Sequence, residues 1–196
     1  MDKLREKGIV MATFEELALM SGTDKFAHGY MPHYADHFRS LRSKAVHLLE
    51  IGVHQGASLR MWAAAFSHEG TQIEGVDVDP SCAELVFMDA CIQVTIGDIK
   101  TVDTALATYD IIIDDGSHLG EDIVHAFNRF WDRLESGGWY VIEDNETHWR
   151  TEYLGDLEHG DVASEHIDAL IHELLRGPAE ISEAHIYEQI IFLRKS

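Results

Sequence analysis

Apolar residues along the chain fall into two alternating rhythms. Residues 45–51, 71–78, 91–96, 109–113 and 138–142 are short runs rich in Val, Ile and Leu, of strand length and without the polar alternation of a half-exposed strand. Between them, residues 58–66, 81–90, about 100–108 and about 120–135 carry helical spacing. Residues 181–187 and 188–193 read as two closing strands, preceded by a loop over 145–160 and a helix over 162–175. Ahead of the first strand, residues 13–20 form a short helix with Thr13 as N-cap and Glu16 completing a capping box. An aromatic and histidine-rich helix follows, carrying Tyr30, His33, Tyr34, His37 and Phe38.

Strands that alternate with helices give βαβ units. The expected fold class is therefore α/β: a doubly wound, mainly parallel, seven-stranded sheet in one domain over residues 1–196. Residues 1–44 are expected to form a helical lid, with Tyr30 facing the ligand.

The chemistry gathers at strand ends. The run Tyr109-Asp110-Ile111-Ile112-Ile113 leads into Asp114, Asp115, Gly116, Ser117 and His118, and Trp139-Tyr140-Val141-Ile142 leads into Glu143 and Asp144. Adjacent carboxylates at the carboxyl edge of a central strand raise each other's pKa unless a cation or donors compensate. That edge is where open α/β sheets bind ligands. Two such strands side by side would converge four acids and a histidine on one rim, a set suited to a hard divalent cation.

The earlier strands end in a different vocabulary. Glu50-Ile51-Gly52-Val53-His54-Gln55-Gly56-Ala57-Ser58 places glycines at a strand-to-helix turn, with Ser58 able to cap the helix. The spacing is not the G-x-G-x-x-G of a dinucleotide site, and Glu50 suits a cationic ligand better than a phosphate. Asp77, at the end of the second strand, sits where an acid accepts from both ribose hydroxyls. Asp98 and Ile99 follow the third strand, where they could meet an adenine. Together these features favour S-adenosylmethionine over a nicotinamide dinucleotide, with Glu50, Gly52, Ser58, Asp77, Asp98, Ile99, Asp114 and Tyr30 as its expected contacts.

Composition narrows the partners. A formal net charge of −20 across 196 residues weighs against nucleic acid and against an anionic membrane surface. Only Cys82 and Cys91 are present, without metal-site spacing, and read as small apolar residues of a reducing compartment. The first residues lack the apolar core of a signal peptide, and no run reaches membrane-span length. A cytoplasmic location is expected.

The stretches 21–25, 48–52, 56–62, 114–118 and 137–144 resemble class I S-adenosylmethionine-dependent methyltransferases of Rossmann-like fold. Within these they resemble the metal-dependent sugar O-methyltransferases that act on macrolide sugars. The resemblance covers about residues 21–144 and implies Asp115, Glu143 and Asp144 as ligands of Mg2+ (or Mn2+), with His118 as general base. It also implies a saccharide acceptor, free or on a glycosylated natural product, and a homodimer or larger oligomer. In length the chain is nearer to the short enzymes of methylmannose polysaccharide synthesis. After Asp144 it departs from the family pattern at Asn145-Glu146-Thr147-His148-Trp149, so acceptor contacts there are not carried over. His148 and the run Glu158-His159-Gly160-Asp161 read as loop. A catechol-type O-methyltransferase and a catalytically silent nucleoside-binding module are the alternatives.

Overall fold

The computed structural model describes residues 11–144 and 180–196. Five strands, β1 (His47–Ile51), β2 (Gln72–Asp77), β3 (Ile92–Ile96), β4 (Tyr109–Asp114) and β5 (Leu134–Glu143), run parallel. β6 (Ile181–Ile186) and β7 (Ile190–Lys195) form a hairpin, and β7 joins β5 antiparallel. The order β3-β2-β1-β4-β5-β7-β6 makes one seven-stranded sheet. The chain winds outward in opposite directions from β1 and β4, so a crevice opens beyond their carboxyl ends.

Both faces of the sheet are covered, which is why its strands are apolar without alternation. On one face lie α1 (Phe14–Ser21), α2 (Met31–Phe38) and α3 (Ala57–Ala65). There Phe14, Tyr34, Phe38, Trp62, Phe66 and Phe192 pack with Leu48, Ile111 and Ile113. On the other lies α4 (Gly120–Phe130), whose Ile123, Phe127 and Phe130 meet Leu49, Ile112 and Tyr140. Neighbouring Leu48 and Leu49 thus serve opposite cores. The capping box of α1 is present: Glu16 N–H donates to Thr13 Oγ1 at 3.1 Å and Thr13 N–H to Glu16 Oε2 at 2.7 Å. Residues 31–38, expected as part of a lid, are anchored in the core through fully buried Tyr34 and Phe38.

Two expected helices are absent. Residues 81–90 form only the 3-10 turn Pro80–Glu84, after which Leu85 turns extended. Phe87 packs back against the turn of Gly56 and under the Arg60 guanidinium, 4.9 Å from its ring centre, and this contact replaces helical continuation. Residues 100–108 make one turn closed by Val102 N–H to the Asp98 carbonyl at 2.8 Å. Beyond it, the backbone donors of Ala105 and Leu106 go to the buried carboxylate of Glu74, which also accepts from Tyr109 Oη at 2.8 Å. A buried acid that captures N–H groups leaves no helix ladder to build. α4 is also shorter than expected and β5 starts earlier, because the chain turns sharply at Trp131–Arg133. The expected loop over 145–160 and helix over 162–175, with His148 and residues 158–161, lie outside the described residues. Cys82 and Cys91 are free thiols. No helix among the described residues is long and apolar enough to cross a membrane.

Candidate active site

The turn after β1 is locked to the turn after β4. Asp115 N–H donates to the Ile51 carbonyl at 2.9 Å, and Gly52 adopts φ +93°, where a Cβ would come within 2.0 Å of the Asp115 carbonyl oxygen. Only glycine allows that approach. Among the described residues, three with side chains also adopt left-handed backbone: His54, His118 and Asp144, at φ 50°, 58° and 50°. All three lie just beyond strand ends, and such strain persists where the surrounding structure fixes it, often at functional sites.

These turns enclose a cavity of about 450 Å³. Gly52, Val53, Ser58 and Asp77 line one side, Asp115, Gly116, His118 and Asp144 the other, and Thr23 and Asp24 close in from the N-terminal segment. Asp77 joins two of the turns: Oδ2 accepts from Val53 N–H at 2.8 Å and His54 N–H at 3.0 Å, and Oδ1 from Asp79 N–H at 2.8 Å. Burial pushes its pKa up, but the donors of Asp79, His54 and Val53 prevail and hold it below the usual carboxylate value.

Of the other expected cofactor contacts, Glu50, Asp98, Ile99, Asp114 and Tyr30 are not among the residues that line the cavity, whereas Ser58 is. Ser58 does not cap α3, whose N-cap is Gly56; its hydroxyl donates instead to Glu50 Oε2 at 2.8 Å. Glu50 is fully buried behind the wall, because the cation it serves is a residue of this chain, Lys25. Asp98 is exposed and accepts from Lys100 N–H, while Ile99 packs toward the α4-side core. Asp114 diverges from Asp115 as successive strand residues do, but toward the α4 side, where Tyr140 Oη lies 3.5 Å from its Oδ2. Burial there pushes its pKa to about 7, against a backbone donor at Gly116 and with a further push from Asp115. Tyr30 reaches the site at Asp144 rather than at the β1 and β2 turns.

Lys25 is a site residue to which the sequence reading gave no role. Its side chain is 1% exposed, and Nζ lies 2.5 Å from Asp115 Oδ2, 2.7 Å from Glu143 Oε2 and 3.2 Å from Glu50 Oε1. The Glu50 contact lacks hydrogen-bond geometry, leaving that oxygen without a donor. Burial alone would push the Lys25 amine down; Asp115, Glu143 and Glu50 outweigh it and hold the amine well above its ordinary value. The other Glu143 oxygen accepts from Tyr34, whose phenol is held protonated by burial and by that carboxylate. A signal was available: three acids at the ends of three adjacent buried strands require a cation.

The three expected metal ligands do not form one cluster. Asp115 and Asp144 meet His118 at the cavity wall, with one potential ligand atom from each within 4.8 Å of the others. Glu143 instead turns inward, both oxygens engaged by Lys25 and Tyr34. His118 Nε2 lies 3.8 Å from Asp144 Oδ2, while Asp144 Oδ1 accepts from Tyr30 and meets His28 Nδ1 at 3.1 Å. His28 was not singled out by the sequence, since nothing local connects it to Asp144. Two carboxylates on a polar wall, with one Asp115 oxygen still unclaimed by Lys25, fit a hard, oxygen-seeking cation.

A parallel sheet with this switch point, a glycine turn after β1, a donor-bound aspartate after β2 and acids after β4 and β5 define the class I methyltransferase architecture. The chain belongs to the class I S-adenosylmethionine-dependent methyltransferases, and residues 49–145 match the methyltransferase domain family. It is 33% identical to demethylmacrocin O-methyltransferase of Streptomyces fradiae over 86% of this chain and 49% of that protein. It is 31% identical to mycinamicin VI 2''-O-methyltransferase of Micromonospora griseorubida over 87% of this chain and 49% of that protein. Among solved structures it superposes on the MycE methyltransferase of the mycinamycin pathway, in complex with Mg, SAH and mycinamycin VI. That match has a TM-score of 0.78 at 29% identity, covering 94% of this chain and 54% of the other. The chain spans about half the length of these relatives.

Proposed function

We infer that this protein transfers a methyl group from S-adenosylmethionine to a hydroxyl of a saccharide, with a divalent cation in the site. The observation that carries the reading is the convergence of Asp115, His118 and Asp144 on one wall of a cavity whose other wall holds Gly52 and Asp77. The sugar O-methyltransferase relatives, and a MycE structure holding Mg and SAH, support the same assignment.

Gly52 lets the nucleoside approach the backbone, and Asp77 accepts from its ribose hydroxyls. When bound, S-adenosylmethionine would supply an electrophilic sulfonium methyl, and a divalent cation, which Asp115 and Asp144 would hold, would supply Lewis acidity toward the acceptor hydroxyl. His118 takes the hydroxyl proton. The acceptor oxygen would then take the methyl carbon, with the carbon–sulfur electron pair leaving on sulfur and the hydroxyl proton on His118. The left-handed backbone at His118 and Asp144 holds both side chains toward one point, the positioning on which such a displacement depends.

The test is incorporation of labelled methyl into sugar acceptors. Transfer should stop with EDTA, return with excess Mg2+, and fall by about 100-fold or more in His118→Ala. Undiminished transfer in chelator would remove the cation from the reading. Methylation of phenols but not sugars would move the enzyme to the catechol-type class.

A further inference from the structure

We propose that His54 is a further cofactor-binding residue, whose imidazole meets the carboxylate on the amino-acid tail of S-adenosylmethionine. The inference rests on the cofactor reading above.

His54 lies in the turn after β1 and is exposed. That turn uses glycine where its backbone is left-handed, with one exception. Gly52 and Gly56 adopt φ +93° and +69°, whereas His54 between them holds φ 50° with a side chain in place. Such a residue is strained relative to glycine and persists only where its surroundings fix it. Here they do: His54 N–H donates to Asp77 Oδ2 at 3.0 Å, and its carbonyl accepts from the buried Cys82 thiol at 3.2 Å. The backbone is held from both sides, while the imidazole makes no hydrogen bond, ion pair or ring contact among the described residues. It lines the cavity. The other two strained residues with side chains, His118 and Asp144, belong to the metal wall. A side chain kept at the cost of strain, with no protein partner, has a ligand to serve.

The part of the ligand follows from its shape. A sulfonium has three arms. Asp77 takes the ribose of one, and the methyl faces Asp115, His118 and Asp144. The amino-acid tail is left with Thr23, Asp24, His54, Gln55 and Ser58. Of these, His54 alone can carry a positive charge, and the Ser58 hydroxyl is already given to Glu50. Asp24, Asp77, Asp115 and Asp144 make the lining acidic and repel a carboxylate. Lys25 is buried behind the wall, and Arg60 lies over Phe87 and donates to the Gln55 carbonyl at 2.8 Å. The imidazole thus supplies the charged donor that the tail otherwise lacks.

The experiment compares two probes by calorimetry without added metal: S-adenosylhomocysteine, which carries the tail, and 5′-methylthioadenosine, which lacks it. His54→Gly relieves the backbone, and His54→Asp tolerates the same backbone while reversing the charge. His54→Gly is expected to melt no lower than wild type and to raise the Kd for S-adenosylhomocysteine at least about tenfold. Its Kd for 5′-methylthioadenosine should stay within about threefold of wild type. His54→Asp should bind S-adenosylhomocysteine more weakly than His54→Gly does, and again spare the other probe. Equal loss of both probes in His54→Gly, or loss of neither, would overturn the assignment to the tail while leaving the cofactor reading intact. So would S-adenosylhomocysteine binding as tight in His54→Asp as in His54→Gly. A melting temperature several degrees lower in His54→Gly would make the imidazole structural and overturn the proposal as well. Failure of wild type to bind either probe would instead overturn the cofactor reading.

Discussion

Tyr30 Oη donates to Asp144 Oδ1 at 2.5 Å across 114 positions of sequence. The same hydroxyl lies 3.3 Å from the Gln189 carbonyl, so one phenol ties the N-terminal segment, the end of β5 and the β6–β7 turn together. Burial, then the Asp144 contact, push its pKa upward, so it stays a donor at any working pH. Asp144 sits in a left-handed conformation at φ 50° and needs such a partner to keep its aim. Tyr30→Phe is therefore expected to weaken Mg2+ or Mn2+ affinity about tenfold, the usual effect of losing a partner that orients a metal ligand. Calorimetric titration checks this, and an unchanged Kd would show that Asp144 holds its place without Tyr30.

Gly52 is the least replaceable position of the cofactor turn. At φ +93°, a Cβ would lie 2.0 Å from the Asp115 carbonyl oxygen and 2.8 Å from its carbon, both backbone atoms that cannot swing away. Gly52→Ala must separate the turns after β1 and β4, the two that frame the crevice. The expected cost is on the order of 3 kcal/mol of stability, from the strained φ and the clash together. Saturable binding of S-adenosylhomocysteine should also be lost. Chemical denaturation with a ligand titration measures both; a variant of wild-type stability would mean that the turns can part freely.

The strand ends were legible because a parallel sheet puts every carboxyl end on one rim. Asp77, Asp115 and Asp144 could be placed there from the apolar runs alone, and all three reach the cavity. What lay beyond the sequence was direction. Asp114 and Asp115 are neighbours, yet one faces a tyrosine in the α4-side core and the other the cavity. Glu50 read as a ligand for a cationic cofactor because its charge was visible and its partner was not: Lys25 lies 25 residues earlier, in the 3-10 turn Asp24–Phe26 that has no periodic signal. The helices expected over 81–90 and 100–108 failed for a related reason. Phe87 finds Gly56 and Arg60, and the Ala105 and Leu106 amides find Glu74, through contacts that local pattern cannot contain.

Asp77 tests the cofactor side independently of any metal. Its two oxygens accept three backbone N–H groups, from Val53, His54 and Asp79. An asparagine would turn an NH2 group toward at least one of those donors, leaving a donor facing a donor. Asp77→Asn is expected to cost about 1–3 kcal/mol, and to raise the Kd for S-adenosylhomocysteine at least about tenfold, since the turn loosens and a ribose acceptor is lost. Binding measured without added metal isolates this effect. A Kd within twofold of wild type would remove Asp77 from the ribose assignment.

A histidine cluster that does not line the cavity should set the acid limit of the fold. His37 stacks at a tilt on Phe192 and Trp139, with ring centres 4.4 and 4.7 Å away, and its Nε2 lies 3.2 Å from Tyr187 Oη. Burial first, then His185 at 4.5 Å between ring centres, push its pKa down to about 4; Asp36 and Glu183 pull the other way, and His33 adds to the depression. The unfolded chain takes up the proton near pH 6.5, while the folded protein resists it until about pH 4. Stability is therefore full above pH 6.5, declines as pH falls, and reaches its full loss near pH 4. His185 is itself 3.3 Å from Glu183, which Arg194 also holds. His37→Phe keeps the ring contacts and removes the titration. Melts from about pH 8 to about pH 4 at constant ionic strength should show a shallower fall in the variant than in wild type. Parallel curves would place the acid sensitivity elsewhere in the fold.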